Sequence, residues 1–282
     1  MTTNETVYCR TEFGQLMEVL VCEPRFMAIK EPINKIQRTY VKENIDKKLA
    51  CAQHNQLVQT LKEHGVTVHA VPAAEQFPEQ VFMRDSGFTI EDTLYIARME
   101  SAIRRGEEKK LNAFLESIGK PYHMLEKGTI EGGDVILTEN TVYVGSSGRT
   151  SKDSIEVLKN NHPSLQFQWI DFDHSYLHLD CVFQPVSNDY ALIYEQAIEE
   201  ESLQLLKKAY TCIPVSKEEQ FHLGVNILSI GNGKIIALPM NKSTNALLRE
   251  EGFTVIEVEF SEIIKSGGSF RCVTLPVLRH SI

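Results

Sequence analysis

Short β-rich apolar runs alternate along the chain with stretches of helical periodicity, and the alternation recurs. Four segments pair two such runs around a polar turn: FTIEDTLYIA, VILTENTVYV, QPVSNDYALIY and NILSIGNGKIIAL. Asp, Asn and Gly at these turns tolerate the positive φ that tight hairpins require. With Asp92, Asn140, Asn188 and Asn232 as markers, the hairpins recur at intervals of 48, 48 and 44 residues. A helical pattern and a further short strand follow each one. The clearest helix has Leu111, Phe114, Leu115 and Ile118 on one stripe and is stopped by Gly119. A longer one carries Leu49, Leu57 and Leu61 and ends at Gly65. The strands read VTVHAV, PYHML, LQFQWI, TCIPV and FTVIEV, and their last apolar residues (Val71, Leu125, Ile170, Val215, Val258) lie 54, 45, 45 and 43 apart.

A unit of this size cannot bury its own apolar face, so five of them are expected to close around one core. The prediction is an α/β fold with pseudo-five-fold βαβ organisation, one domain over residues 1–282 rather than two. An ordinary α/β sheet with coincidental spacing is the alternative.

Composition narrows the function. The 282 residues include 29 Lys+Arg and 38 Asp+Glu, a formal charge of −9, which argues against a nucleic-acid binder that relies on a cationic face. A hydrophobic share of 42% and a charged share of 24% suit a globular chain. No segment approaches the ~18 consecutive apolar residues of a membrane span. The N-terminal MTTNETVYCRTEFG has neither a basic region nor an apolar core, so no secretory signal is expected and the cytoplasm is the default location. The six cysteines form no CxxC pair and read as free thiols, one of them a potential nucleophile.

Polar residues fall at matching places after the five strands. FMRDSG brings Arg84 and Asp85. Then come Glu131-Gly132-Gly133-Asp134, His178-Leu179-Asp180, Gly224-Val225-Asn226, and Gly267-Gly268-Ser269-Phe270-Arg271-Cys272. If the units surround an axis, these positions converge at one end of it. Singly, each is ordinary: a Cys that fills core, a structural His, a capping carboxylate, a local ion pair. Jointly they are specific.

Such a set suggests a chemistry. Cys attacks as thiolate, which a cationic neighbour favours. A His in reach moves protons to a leaving amine and from a water, and a carboxylate on its ring fixes the tautomer. Further Asp residues would be surplus in acyl transfer, where an oxyanion wants donors. They suit a planar guanidinium, which carboxylates match by paired N–H···O bonds.

These residues resemble the guanidino-group-modifying superfamily, the pentein fold shared by arginine deiminase, dimethylarginine dimethylaminohydrolase, agmatine deiminase and the amidinotransferases. The resemblance runs from Phe13-Gly14 to the Cys272-Val273-Thr274-Leu275-Pro276 tail. It implies a five-bladed α/β propeller of ββαβ units with no metal or organic cofactor. It also implies Cys272 as nucleophile, His178 as general acid/base, Glu131 as its orienting group, and Asp85 and Asp180 as guanidinium ligands. Asp134 is counted with the substrate-binding set. The length suits dimethylarginine dimethylaminohydrolases, whose two arginine segments resemble LYIARMESAIRRGEEKK and VYVGSSGRTSKD, making Arg98 and Arg149 contacts for a substrate carboxylate. Asp180 departs from that subgroup and is typical of deiminases and amidinotransferases. Glu79, in EQVFMRD, stands where the subgroup tends to have Asp.

The expected activity is Cys-dependent hydrolysis of a guanidine C–N bond in arginine or an N-substituted relative, giving a ureido product. A deiminase or an amidinotransferase is the rival within that chemistry. A non-catalytic binding protein on the same propeller is the rival outside it, although such proteins lack the Cys/His/Glu set. The expected partner is a small guanidino compound, with neither nucleic acid nor membrane, and a homo-oligomer is left open. The segment around Arg25 to Asn34, with Pro24 and Pro32 flanking an apolar patch, is expected either as a lid over the pocket or as an ordinary surface loop.

Overall fold

A computed structural model describes residues 6–125 and 127–280, so the first five residues of the N-terminal segment discussed above lie outside it. The chain enters with β1 (Gln15–Cys22) and passes through α1 (Lys35–Tyr40) and α2 (Lys47–Glu63) to β2 (Thr67–Val71). A second unit follows: α3 (Met83–Ser86), β3 (Gly87–Ile90), β4 (Thr93–Ile96), α4 (Glu107–Ser117) and β5 (His123–Met124). The third is β6 (Val135–Leu137), β7 (Thr141–Gly145), α5 (Lys152–Asn161) and β8 (Gln166–Ile170). The fourth is β9 (Phe183–Pro185), β10 (Tyr190–Ile193), α6 (Glu200–Ala209) and β11 (Thr211–Pro214). The fifth opens with α7 (Lys217–Phe221) and runs through β12 (Leu228–Gly231), β13 (Lys234–Ala237), α8 (Lys242–Glu250) and β14 (Thr254–Glu257). Last comes β15 (Leu275–His280), which returns to pair with β1.

Five three-stranded sheets result, each an antiparallel pair extended by a parallel third strand, which is the expected five-fold ββαβ arrangement. The first sheet, β15-β1-β2, takes its first strand from the C-terminus, so the two ends of the chain close the ring. Burial grades across each sheet. Strands β3, β6, β9 and β12 are buried at every residue, whereas the third strands β2, β8 and β14 are largely open. This is why the hairpin runs read as nearly continuous apolar sequence. The helices cover the open side, with α2 against β2, α5 against β8 and α6 against β11.

Two details differ from the sequence expectation. Leu49 is 44% exposed, and the buried stripe of α2 is Ala50, Gln53, His54, Leu57 and Leu61. Positive φ occurs at Asn232 and Gly233 but not at Asn140 or Asn188, and in the first hairpin it falls on Glu91 rather than Asp92. Side chains close the other turns instead. Thr138 Oγ1 donates to the Thr141 carbonyl, and Ser187 Oγ accepts from the N–H groups of Asp189 and Tyr190.

The repeat positions the site. Asp85, Asp134, Asp180, Asn226 and Cys272 each lie two or three residues before the first strand of their sheet (β3, β6, β9, β12, β15), except Asp134, which adjoins it. Equivalent strand starts around a ring share one end of the axis, and the five segments meet there.

Candidate active site

Glu131, Asp134, His178 and Asp180 are 0% exposed, with Asp85 at 2% and Cys272 at 4%. Two short 3-10 turns present four of them. Gly132–Asp134 follows Glu131, and Leu179–Cys181 follows His178. Gly133 allows the two turns to touch, because a Cβ there would lie 2.5 Å from His178 Nδ1. At Gly132 it would lie 2.2 Å from the Arg84 carbonyl oxygen.

His178 Nε2 is bonded to Glu131 Oε2 at 2.8 Å, and Arg149 Nη1 holds the same carboxylate from the other side at 3.2 Å. The second ring nitrogen, Nδ1, is 3.5 Å from Asp85 Oδ1, and neither of these two buried atoms has a hydrogen-bond partner. Burial by itself would depress the imidazole, but the carboxylates of Asp85, Glu131 and Asp134 outweigh it and raise its pKa to about 9. Burial pulls Glu131 upward, yet its hydrogen bond and charge interaction with His178, aided by Arg149 and Arg104, bring it down to about 2. The pair therefore rests as imidazolium and carboxylate.

Cys272 has the opposite surroundings. Its Sγ is 3.6 Å from Asp180 Oδ2, and burial together with the charges of Asp180 and Asp85 pushes the thiol well above its ordinary value. Asn226 fixes the loop carrying it: its Oδ1 accepts from the N–H groups of Ser269 (3.2 Å) and Cys272 (3.3 Å). The Asn226 amide in turn donates to the Asp180 carbonyl.

Cys272 and Asp85 stand in the wall of a cavity of about 10 Å³, with Ile33, Glu79, Phe82, Leu177 and Gly268. That is room for about one water, so a guanidino compound enters only if the cover moves. The cover includes the end of the expected lid and continues into α1. Asn34 Nδ2 donates to the Ser266 carbonyl at 2.9 Å, and Gln37 Nε2 donates to both Ser266 Oγ and Glu79 Oε1. Burial raises Glu79 to about 7, with Arg104 opposing. The other end of the 25–34 segment is anchored in the core by Met27 and Ile29.

The remaining expected residues are arranged differently. Asp134 has its oxygens filled by protein donors, the Leu179 N–H at 3.0 Å and the hydroxyls of Ser147 and Thr150, so it ties the His178 turn to the third unit. Burial raises its pKa to about 6. Arg149 is engaged with Glu131. Arg98 is exposed and its backbone bridges to Ile130.

Four further residues belong to this end of the axis without a role predicted by the sequence pattern: Arg104, Arg271, Glu12 and Asn226. Arg104 pairs with Asp85 Oδ2 and with Glu107 at 2.8 Å, and also donates to the carbonyls of Glu79 and Phe82. Arg271 holds Asp180 Oδ2 at 2.6 Å, Glu12 at 2.9 Å and the Val135 carbonyl at 2.7 Å. Arg104 sits in a charged run that reads as solvated surface, and only Glu107 three residues on hints at a pair. Arg271 and Asn226 occupy repeat-equivalent segments, which was the available signal.

Asp85, Glu131 and His178 bring one donor atom each within 4.8 Å of one another, a set a divalent cation accepts. Arginines already balance both carboxylates, and the imidazolium lies between them.

The family described as N,N dimethylarginine dimethylhydrolase, eukaryotic, matches residues 23–279. An uncharacterized Bacillus subtilis protein, YkgA, is 45% identical over 96% of this chain and 95% of its own length. An arginine deiminase of Bacillus cytotoxicus is 30% identical, covering 90% of this chain and 72% of that one. Among solved structures, the product-bound N-terminal domain of ArgZ, a cyanobacterial arginine dihydrolase, superposes with a TM-score of 0.86 at 25% identity over 94% of this chain and 98% of that one. SxtG, a saxitoxin-pathway amidinotransferase from Microseira wollei, shares the fold (TM-score 0.82, 18% identity, 98% of each chain). The described residues contain no helix long and apolar enough to cross a membrane. The chain belongs to the N,N-dimethylarginine dimethylhydrolase family, within the pentein superfamily of enzymes that act on guanidino groups.

Proposed function

We propose that the protein is a hydrolase that cleaves a guanidine C–N bond of arginine or an N-substituted arginine-like compound, with Cys272 as nucleophile. The observation that carries this is the pairing of opposites in one closed site. Burial and the charges of Asp180 and Asp85 hold the thiol protonated, and the same Asp85 faces the His178 ring, with its Oδ1 and the ring Nδ1 both lacking a hydrogen-bond partner among the described residues.

A guanidinium entering between Asp85 and Asp180 brings positive charge to the thiol, so Cys272 releases its proton to solvent as substrate arrives and stands as thiolate beside the still-protonated His178. Sγ attacks the guanidine carbon. As the C–N bond breaks, His178 gives its Nδ1 proton to the departing amine or ammonia, leaving an S-alkylthiouronium on Cys272. The now neutral His178 takes a proton from water, whose oxygen attacks the same carbon. The C–S bond breaks, the thiolate is released, and the product is a ureido compound. Glu131 keeps the imidazole oriented throughout, and Arg149 steadies Glu131. Arg98 and Arg149 are the candidates for an α-carboxylate.

An unsubstituted guanidine is the second reading, favoured by Asp180 at 3.6 Å from Cys272. An Asp facing both terminal nitrogens bonds N–H groups and leaves N-methyl groups unsatisfied, costing roughly 1–3 kcal/mol. A panel of arginine, methylated arginines and agmatine in a chromogenic ureido assay separates the readings. Ureido product formed without an amine acceptor is the expected result. Product only with an added amine indicates an amidinotransferase. No turnover, together with no labelling of Cys272 by a chloroacetamidine, indicates a binding protein.

A further inference from the structure

A second cavity of about 230 Å³ adjoins the catalytic one and shares Leu177 and Gly267 with its wall. It opens between α1, the 175–177 loop and α7. Ile36, Tyr176, Phe221 and Leu223 give it an apolar lining. Its charged liners are Lys35 and Lys217, both exposed, and no carboxylate lines it among the described residues. Lys35 Nζ stands over the Tyr176 ring at 5.4 Å, within electrostatic reach of Asp173. Neither ammonium is in an ion pair among the described residues. The two chambers thus have opposite character: carboxylates around Cys272, and an apolar passage with cations beyond Leu177.

We propose that this cavity is a second substrate subsite and that it takes an apolar chain ending in a carboxylate. The inference rests on the guanidine-hydrolase reading for the head of the molecule and deepens it by naming the tail. The guanidinium lies against Asp85 and Asp180, methylenes run past Leu177 along Phe221 and Leu223, and the terminal anion meets Lys35 and Lys217. The preferred class is then an ω-guanidino carboxylic acid with no α-ammonium. An α-ammonium carried into this passage would meet two cations and no carboxylate to pair with it. Leu177, half-buried and packed against the core next to Tyr176, stands between the chambers, and its side chain turns aside when they join.

The test uses the full chain as Cys272→Ala, so that binding is measured without turnover, with guanidinoacetate, guanidinobutanoate, guanidinohexanoate and L-arginine as probes in calorimetry. Affinity is expected to rise about four-fold per methylene along the acid series. Guanidinohexanoate is expected to exceed arginine at least ten-fold. Reversing both cations (Lys35→Glu with Lys217→Glu) removes about ten-fold of that binding, and Phe221→Ser flattens the chain-length dependence. Arginine binding as tightly as guanidinohexanoate overturns the proposal. So does loss of acid binding in Arg98→Ala with the double lysine reversal silent. Binding of the acids by Cys272→Ala with no turnover by the unmodified enzyme would sink the hydrolase reading alone and leave the subsite standing. No binding of any probe overturns both.

Discussion

Arg104 and Arg271 are both fully buried at the end of the axis, and each holds one of the two aspartates that face the thiol and the imidazole. Arg104 bonds within its own unit: Asp85, Glu107 and the carbonyls of Glu79 and Phe82. It takes one oxygen of Asp85 and leaves the other free toward His178. Arg271 reaches across units, from the C-terminal segment to Glu12 near the N-terminus, Val135 in the third unit and Asp180 before the fourth. The Asp180 oxygen it holds is the one that meets Cys272. One arginine aims a carboxylate, and the other staples the ring. Substitutions around the first are therefore expected to change rate, and those around the second stability.

The largest effects test the aimed side. Cys272→Ser is expected to lower kcat by about 10⁴-fold or more, and His178→Asn by about 10³-fold, because general acid–base transfer is worth 10²–10⁴. Cys272→Ser should retain the thermal midpoint within a few degrees, whereas His178→Asn also gives up the stability of the imidazolium–carboxylate pair at neutral pH. The check is steady-state kinetics paired with calorimetry on the same preparations. A variant that keeps its fold and more than a tenth of its activity would remove that residue from the mechanism.

Arg271→Met tests the staple. It leaves Asp180 buried without its cation and Glu12 with only Arg84 at 3.7 Å, and breaking a buried pair in this way costs about 3–5 kcal/mol. Urea unfolding should show the loss in the midpoint. If the loss is below ~1 kcal/mol, the ring is held by apolar burial alone and the contrast with Arg104 fails.

What the sequence disclosed follows the same division. The hairpins and the five closing strands were legible because their inner strands are buried on both faces and their outer strands are short and regularly spaced. Cys272, His178, Glu131 and Asp85 stand out as candidates in the sequence because they fall in the segments that follow corresponding strands of the repeat. Asp134 looked equivalent too, but a pattern of types cannot show that Ser147, Thr150 and the Leu179 N–H already occupy its oxygens. Arg104 was invisible because it lies outside the repeat-equivalent segments, and apart from Asp85 its partners are a helix-turn carboxylate and two loop carbonyls. Leu49 was misplaced because leucine fits either face of a helix, and the packed face is identified here by Ala50 and His54.

The pH dependence of stability separates the imidazolium from the rest. His178, raised to about 9 from 6.5, contributes stability that is fully present below pH 6.5 and lost as pH rises through 9. Asp134 and Glu79, raised to about 6 and about 7, also favour the protonated folded form, so their contribution is lost between about pH 4 and 7. Glu131, lowered to about 2, works in the opposite sense, its contribution being present above pH 4.5 and lost as pH falls through 2. Stability should therefore decline between pH 6.5 and 9 by a few kcal/mol. In His178→Asn, urea midpoints over that range should be nearly level. An unchanged slope in the variant would mean that the ring is neutral in the folded protein.

The smallest expected effect concerns Asn226, which holds the Cys272 loop without belonging to either arginine. Asn226→Ala removes the acceptor for the Ser269 and Cys272 N–H groups and should lower kcat/KM about ten-fold, the worth of one to two hydrogen bonds. Asn226→Asp keeps that acceptor and adds a negative charge close to a thiol already raised by Asp180 and Asp85. It should therefore preserve the fold while moving Cys272 ionisation to higher pH. The pH profile of chloroacetamidine labelling reads this directly: the alkaline limb shifts upward in Asn226→Asp and keeps its position in Asn226→Ala. If both variants shift equally, Asn226 acts on Cys272 through loop packing rather than through the amide oxygen, and its place between the aimed and stapled sides is lost.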